Sequence, residues 1–169
     1  MCSSDLGRLL AIDRDADALA SENAREMLGD PRFQLQQGCF SGMQQIAEAQ
    51  GLLGRFQGIL LDLGVSSPQL DDPQRGFSFL REGPLDMRMD ASTGMSAAEW
   101  LQQVAEQELV RVLFAYGEER FARRIAAAVI KQRLQEPIRT TRQLAQLIEA
   151  AVPLREKHKH PAKIGRAHV

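Results

Sequence analysis

The sequence predicts an α/β chain in two parts: a parallel-sheet core with a long loop over residues 7–95, then a small all-helical segment over 96–155. Three observations carry that prediction. Within the first 63 residues, short apolar runs alternate with helix-spaced segments, the pattern of parallel strands joined by helical crossovers. A stretch of about thirty residues then loses periodicity, punctuated by Pro68, Pro73, Gly76, Gly83, Pro84 and Gly94. Beyond Ser96, apolar residues recur at helical spacing in four successive segments.

RLLAID (8–13) is a short apolar run ending in aspartate, and DADALASENAREML after it has helical spacing with no internal glycine or proline. The pair reads as a strand and one helix. RFQLQQG (32–38) alternates as a strand does, and 41–50 can form a helix. FQGILLDL (56–63) is nearly continuous in apolar residues, as expected of an interior strand covered on both faces by helices.

The stretch 65–94 contains DDPQRGFSF and GPLDMRMD. Its Phe77, Phe79, Leu85, Met87 and Met89 are too apolar for a solvated connection, so it is expected to be an ordered loop packed over a site.

Ser96 and Glu99 have the S-x-x-E spacing of a capping box at the start of a helix buried through Trp100, Leu101 and Val104. A second helix from Glu106 carries Leu109, Val110, Val112, Leu113 and Phe114, with Gly117 placed to close it. The third, Glu118 to Leu134, sets Phe121, Ile125, Ala128 and Val129 on one face and Arg120, Arg123, Arg124 and Lys131 largely elsewhere. After Pro137, Thr140 or Thr141 caps a fourth with the stripe Leu144, Leu147, Ile148 and Ala151, and Pro153 stops it.

At 169 residues, 44% hydrophobic and 25% charged, the chain falls in the range of one ordinary globular domain. Its apolar runs are far shorter than the roughly 20 residues of a membrane helix, and no basic-then-apolar leader opens it. Two cysteines, Cys2 and Cys39, are too few for a disulfide framework and have no metal-ligand spacing with His158, His160 or His168. A metal-free, soluble protein of the cytoplasm is expected. The net charge of −1 conceals a split: residues 1–117 hold 9 Lys/Arg against 17 Asp/Glu, and residues 118–169 hold 12 against 5. The basic part either meets a polyanion or simply solvates helix faces.

In open α/β sheets, ligands bind at the carboxyl ends of the strands, which directs attention to two aspartates. Asp13 is placed either to accept hydrogen bonds from ribose hydroxyls or, like Asp15, to cap the next helix, and an acidic residue alone does not decide between them. Asp62, closing the apolar run, is expected to face a polar cleft, because burying a lone carboxylate costs several kcal/mol. Gly64 relaxes the backbone beyond it, Ser66 and Ser67 add hydroxyls, Pro68 stiffens the turn, and Gln69 adds an amide with both donor and acceptor. Such a loop can grip a flat polar group that carries an amine.

LLAIDRD, GILLDLGVSSPQLDDPQRGFSF, GPLDMRMD, SAAEWL, YGEERFARRIA and HKHPA occur in the order seen in the MraW-like family, also called RsmH, and the chain resembles that family over residues 7–163. Members are S-adenosylmethionine-dependent enzymes that methylate the exocyclic N4 amine of a cytidine in 16S ribosomal RNA of the small ribosomal subunit. The resemblance implies a partial Rossmann-like methyltransferase core followed by a helical insert that helps recognise RNA. It implies that Asp13 binds the ribose of S-adenosyl-L-methionine, that Phe40 packs near the adenine, and that Asp62 and Gln69 complete the cofactor contacts. Asp62, Ser66, Ser67 and Pro68 would position the target amine. A cytosine amine is a poor nucleophile because its lone pair is delocalised into the ring. Hydrogen bonds to its protons, together with alignment on the sulfonium methyl, answer that difficulty without a nucleophilic cysteine or a metal.

The chain departs from the family at both ends. MCSSDL stands where a strand and glycine-rich cofactor loop are expected, and IGRAHV where a long helix and further strands are expected. Residues 1–6 and the end of the basic tail 156–169 are therefore expected to be non-native, and the chain by itself inactive although its parent is an enzyme. Two other readings compete: a non-catalytic RNA-binding or ribosome-assembly module using the basic helices, and a nucleotide-dependent dehydrogenase, which needs a G-x-G-x-x-G before Asp13. Several residues also have plain roles. His158 and His160 read as a solvated basic turn, Trp100 as a core anchor, and Met87 and Met89 as packing beneath the loop, with Asp86, Arg88 and Asp90 between them available to line a cleft.

Overall fold

The computed structural model describes residues 7–153, in two compact units that divide between Asp62 and Leu63. In the first unit, β1 (Leu9–Asp13) and β2 (Phe33–Gln37) pair in parallel, with Leu9 opposite Phe33 and Asp13 opposite Gln37. Parallel neighbours need a crossover, which here contains α1 (Ala16–Leu19) and α2 (Glu22–Met27). The single helix expected between the strands is thus two. Ser21 ends the first in extended geometry and accepts the Ala24 N–H on Oγ at 3.2 Å, because a serine hydroxyl competes with the helical ladder for backbone donors. A 3₁₀ turn (Phe40–Gly42) leads into α3 (Met43–Ala49).

The run 56–63 does not become a strand. No strand among the described residues pairs with it, and Ile59, Leu60, Leu61 and Leu63 are 69%, 93%, 53% and 59% exposed. An apolar run acquires interior-strand geometry only from a ladder partner and from layers over both faces, and the described residues supply no ladder partner for it. The placement of Asp62 at the end of a central strand is corrected with it: Asp62 is an exposed residue on irregular backbone.

The second unit holds the main hydrophobic core. It is built from α4 (Ser67–Asp71), α5 (Ala97–Gln103), α6 (Glu106–Ala115), α7 (Ala122–Arg133), α8 (Thr141–Ala151) and the irregular chain between α4 and α5. Leu109, Leu113, Ile125, Val129 and Ile148 are its most completely enclosed large side chains. The capping boxes form as their spacing requires: Ser96 with Glu99 on α5, and Thr140 with Gln143 on α8. The buried stripe of α7 is Ala122, Ile125, Ala126 and Val129, while Ala128 is only half-buried. After α6, the left-handed backbone position is Glu118 at φ 51°, not Gly117.

The loop is ordered through its contacts with the helices, so this part of the chain is not made of helices alone. Phe77, Leu85 and Met87 are core residues alongside Leu101 and Ile148, whereas Phe79 stays about half exposed. The N–H groups of Ala97 and Ala98, which the first turn of α5 leaves without intrahelical partners, donate to the carbonyls of Asp86 (2.7 Å) and Leu85 (2.9 Å). On the other side, buried Thr141 donates from Oγ1 to the Arg81 carbonyl (3.1 Å) and accepts the Gly83 N–H (3.2 Å), and the Leu85 N–H donates to the Arg139 carbonyl (2.8 Å). Two glycines make the crossing possible. Gly76 has φ 74°, and a Cβ on it would lie 2.5 Å from the Pro84 carbonyl oxygen; one on Gly83 would lie 1.8 Å from that of Pro73.

Candidate functional site

In the first unit the candidate site is the carboxyl end of the strand pair. The Gly38 N–H donates to the Asp13 carbonyl at 2.9 Å, which extends the ladder one residue past β2 and fixes where the chain turns toward Phe40. The two helix-capping candidates separate here. Asp15 is the N-cap of α1, accepting the Asp17 N–H at 3.0 Å, and is buried. Asp13 instead accepts the Asp15 N–H on Oδ1 at 2.8 Å and keeps an exposed carboxylate at the strand end. Phe40 opens the 3₁₀ turn and is 50% exposed.

Asp62 closes the first unit, and the Ser-Ser-Pro-Gln segment opens the second. Gly64, with φ 126°, holds a conformation between them that side chains disfavour. Ser66 is the N-cap of α4, with Ser67 and Pro68 the first two helical residues and Gln69 the third. Ser66 Oγ accepts the Gln69 N–H at 3.4 Å, and buried Gln69 accepts the Ser66 N–H on Oε1 at 2.9 Å. Proline in the first helical turn loses no bond, since the N–H it lacks would have had no helical acceptor. Ser66, Ser67 and Pro68 are exposed residues.

The LDMRMD segment is the most tightly specified part of the loop. Met87 is buried at φ 63°, a left-handed conformation that costs a non-glycine residue roughly 1–3 kcal/mol. Its N–H donates to the Arg75 carbonyl at 3.0 Å, while the Arg75 guanidinium donates to the carbonyls of Met89 (2.8 Å) and Arg88 (3.2 Å). Asp86 and Arg88 form a two-bond ion pair across Met87, and the Arg88 hydrogen bonds hold the Asp86 carboxyl below its ordinary value. The cleft beneath, lined by Phe77, Leu85, Met87, Leu144 and Ile148, is about 30 Å³ and apolar, far too small for a nucleotide.

Within the first unit Asp13 ends β1 and Phe40 lies three residues past the end of β2, and within the second Ser66 to Gln69 form one capped turn. The reading of residues missed three things: the reciprocal Ser66–Gln69 cap, the left-handed Met87, and the Arg75 anchor. The first has a sequence signal, S-x-x-Q before an apolar residue; the other two have none. His158 and His160, and the HKHPA motif, lie outside the described residues. Among the described residues no His, Cys, Asp or Glu cluster could hold a metal ion, and no helix is long and apolar enough to cross a membrane.

These features define a mixed α/β protein whose candidate chemistry sits at an acidic strand end and on an ordered polar loop. A family model described as the MraW methylase family matches residues 2–165. The chain belongs to that family. It is 58% identical over 156 residues to a protein of Methylococcus capsulatus, and 56% identical over 156 residues to one of Thioalkalivibrio sulfidiphilus. Both are named ribosomal RNA small subunit methyltransferase H. Each match takes in 92% of this chain but 52% and 49% of the relative, so the chain spans about half the length of the curated relatives it matches.

Proposed function

We propose that the protein carrying these residues methylates the N4 amine of a cytidine in 16S ribosomal RNA of the small ribosomal subunit, in the cytoplasm, with S-adenosyl-L-methionine as cofactor. The observation that carries this reading is the 58% identity, across 92% of the chain, to a relative named for small-subunit ribosomal RNA methylation.

The cofactor fits the donor set at the strand ends: an exposed carboxylate on Asp13 suits a ribose diol, and the half-exposed Phe40 ring suits a flat base. When bound, S-adenosylmethionine supplies an electrophilic methyl group on sulfur. The chain's own part is to hold and orient. Asp13 accepts hydrogen bonds from the ribose, and Phe40 covers the adenine. Because the amide oxygen of Gln69 already accepts the Ser66 N–H, Gln69 and Ser66 shape the turn. Positioning of the amine then falls to the Ser67 hydroxyl and the Asp62 carboxylate, with Pro68 fixing the backbone. An acceptor on an amine proton draws the nitrogen lone pair out of conjugation, which is the electrostatic help this reaction needs.

The test is a chimera in which residues 7–153 replace the matching segment of the Methylococcus capsulatus relative, supplied with methyl-labelled cofactor and small-subunit RNA. Nucleoside analysis should place the label in N4-methylcytidine, with Asp13→Ala weakening cofactor binding at least tenfold by calorimetry. Label on another nucleoside, or none from a folded chimera, sinks the reading.

A further inference from the structure

The turn that presents Ser67 is too short to hold itself. α4 has five residues, well under the roughly 12–15 that an isolated helix needs in water. Gln69 is its buried residue, while Ser67, Pro68, Leu70 and Asp71 are exposed. What fixes the turn must therefore come largely from the chain on either side of it. Before it, Val65 packs against the core. After it, Asp72 both ends α4, donating its N–H to the Pro68 carbonyl at 3.0 Å, and opens the 3₁₀ turn Pro73–Arg75, accepting the Gln74 N–H on Oδ1 at 2.8 Å. With Asp72 in common, the two turns move as one.

Arg75 closes that pair of turns and attaches it to the rest of the loop. Its guanidinium Nη2 donates to the carbonyls of Met89 at 2.8 Å and Arg88 at 3.2 Å. The segment that carries those carbonyls is itself tied down: Met87 is a core residue, and Arg88 is held by both carboxylate oxygens of Asp86. A planar guanidinium suits such an anchor because its donors point in fixed directions, whereas the ammonium of a lysine rides on a flexible stem. The bond from the Met87 N–H to the Arg75 carbonyl (3.0 Å) is made by backbone alone. Removing the side chain should thus loosen the turn without opening the loop.

We propose that Arg75 is a positioning residue: through the Met89 and Arg88 carbonyls it fixes the Ser66–Gln69 turn, and with it the place where Ser67 meets the target amine. It acts through the turn and not by contact with the reacting groups. The second half of the proposal rests on the reaction proposed above; the first half does not.

Two measurements test it. In the 169-residue chain, Arg75→Ala should lower the NMR order parameter of the Ser67 amide from about 0.85 to below about 0.6, with Leu109 and Ile125 unchanged. In the chimera, Arg75→Ala should lower kcat on the order of a hundredfold, the effect of a misplacement of about 1 Å. KM for S-adenosylmethionine should stay at the parent's value, because Asp13 and Phe40 belong to the first unit. Millimolar guanidinium should restore part of kcat, which it would not do for a chain that had merely lost stability, and Arg75→Lys should fall between parent and alanine variant. Thr141→Val, which weakens the same loop at Gly83, should keep the parent's kcat. The proposal is overturned by an unchanged Ser67 order parameter, by an Arg75→Ala kcat matching the parent's, by the absence of guanidinium rescue, or by an equal loss in Thr141→Val. A chimera that transfers no methyl, beside a Ser67 that loosens in the variant, would sink the proposed reaction and leave Arg75 as the anchor of the turn.

Discussion

Arg88 holds the Asp86 carboxylate with Nε on Oδ1 at 2.8 Å and Nη2 on Oδ2 at 2.7 Å, two parallel bonds that close around the left-handed Met87. Bidentate pairing of this kind has geometric as well as energetic content. It sets the direction of the chain at the point where the Asp86 carbonyl receives the first N–H of α5.

The pair makes stability acid-sensitive. The Asp86 carboxyl titrates below its ordinary 3.8 in the folded chain, chiefly through the Arg88 hydrogen bonds. Its contribution is therefore complete above the unfolded carboxylate pKa of about 3.9, and is lost as pH falls through the lower folded value. Asp86→Asn should cost about 1–2 kcal/mol at pH 7, at the low end for charged hydrogen bonds because the pair is part-exposed. Denaturant titrations of both proteins at pH 7 and near pH 2 should show the difference shrinking in acid; an equal difference at both would rule out ionic coupling.

Thr141 ties α8 to the loop by donating to Arg81 and accepting from Gly83. Thr141→Val preserves shape and removes both bonds, leaving a buried N–H unsatisfied at a cost of about 1–3 kcal/mol. A denaturation midpoint matching the parent's would show that water replaces the hydroxyl.

Gly83→Ala should be worse than Thr141→Val, because the new Cβ meets the Pro73 backbone and not a side chain that can rotate away. Expected losses exceed about 2 kcal/mol. Gly51→Ala, where φ is 66° but open space surrounds the Cβ, isolates the cost of backbone strain alone, about 1–2 kcal/mol. Comparing the two midpoints separates crowding from conformation.

The exposed run Ile59 to Leu63 should bind the dye ANS and promote association that grows with protein concentration. Leu60→Lys should reduce both without lowering helix content, since Leu60 contributes nothing to the core. Sedimentation velocity of the two proteins over a tenfold concentration range is the check.

The parts legible in the sequence were those governed by local rules. RLLAID and RFQLQQG formed the strand pair, and S-x-x-E before Trp100 and Thr140 before Gln143 produced the caps they announce. Failures came where a remote partner decides. Nothing in FQGILLDL reveals whether a ladder neighbour is present, so its apolarity alone predicts an interior strand with Asp62 at its end. Likewise Phe114 has the composition of a core residue, and only the packing of α6 on α7 turns it outward. At the candidate site, Asp13 and Ser66–Gln69 were visible as residue types, but the division of capping between Asp13 and Asp15 depended on backbone angles that no pattern encodes.

Every side chain in the main core comes from residues 77–148, whereas residues 7–62 enclose only Asp15 and Ala47. Amide hydrogen exchange should therefore be slowest over residues 77–148, and the strand pair should lose its protection at denaturant concentrations that leave the helices closed.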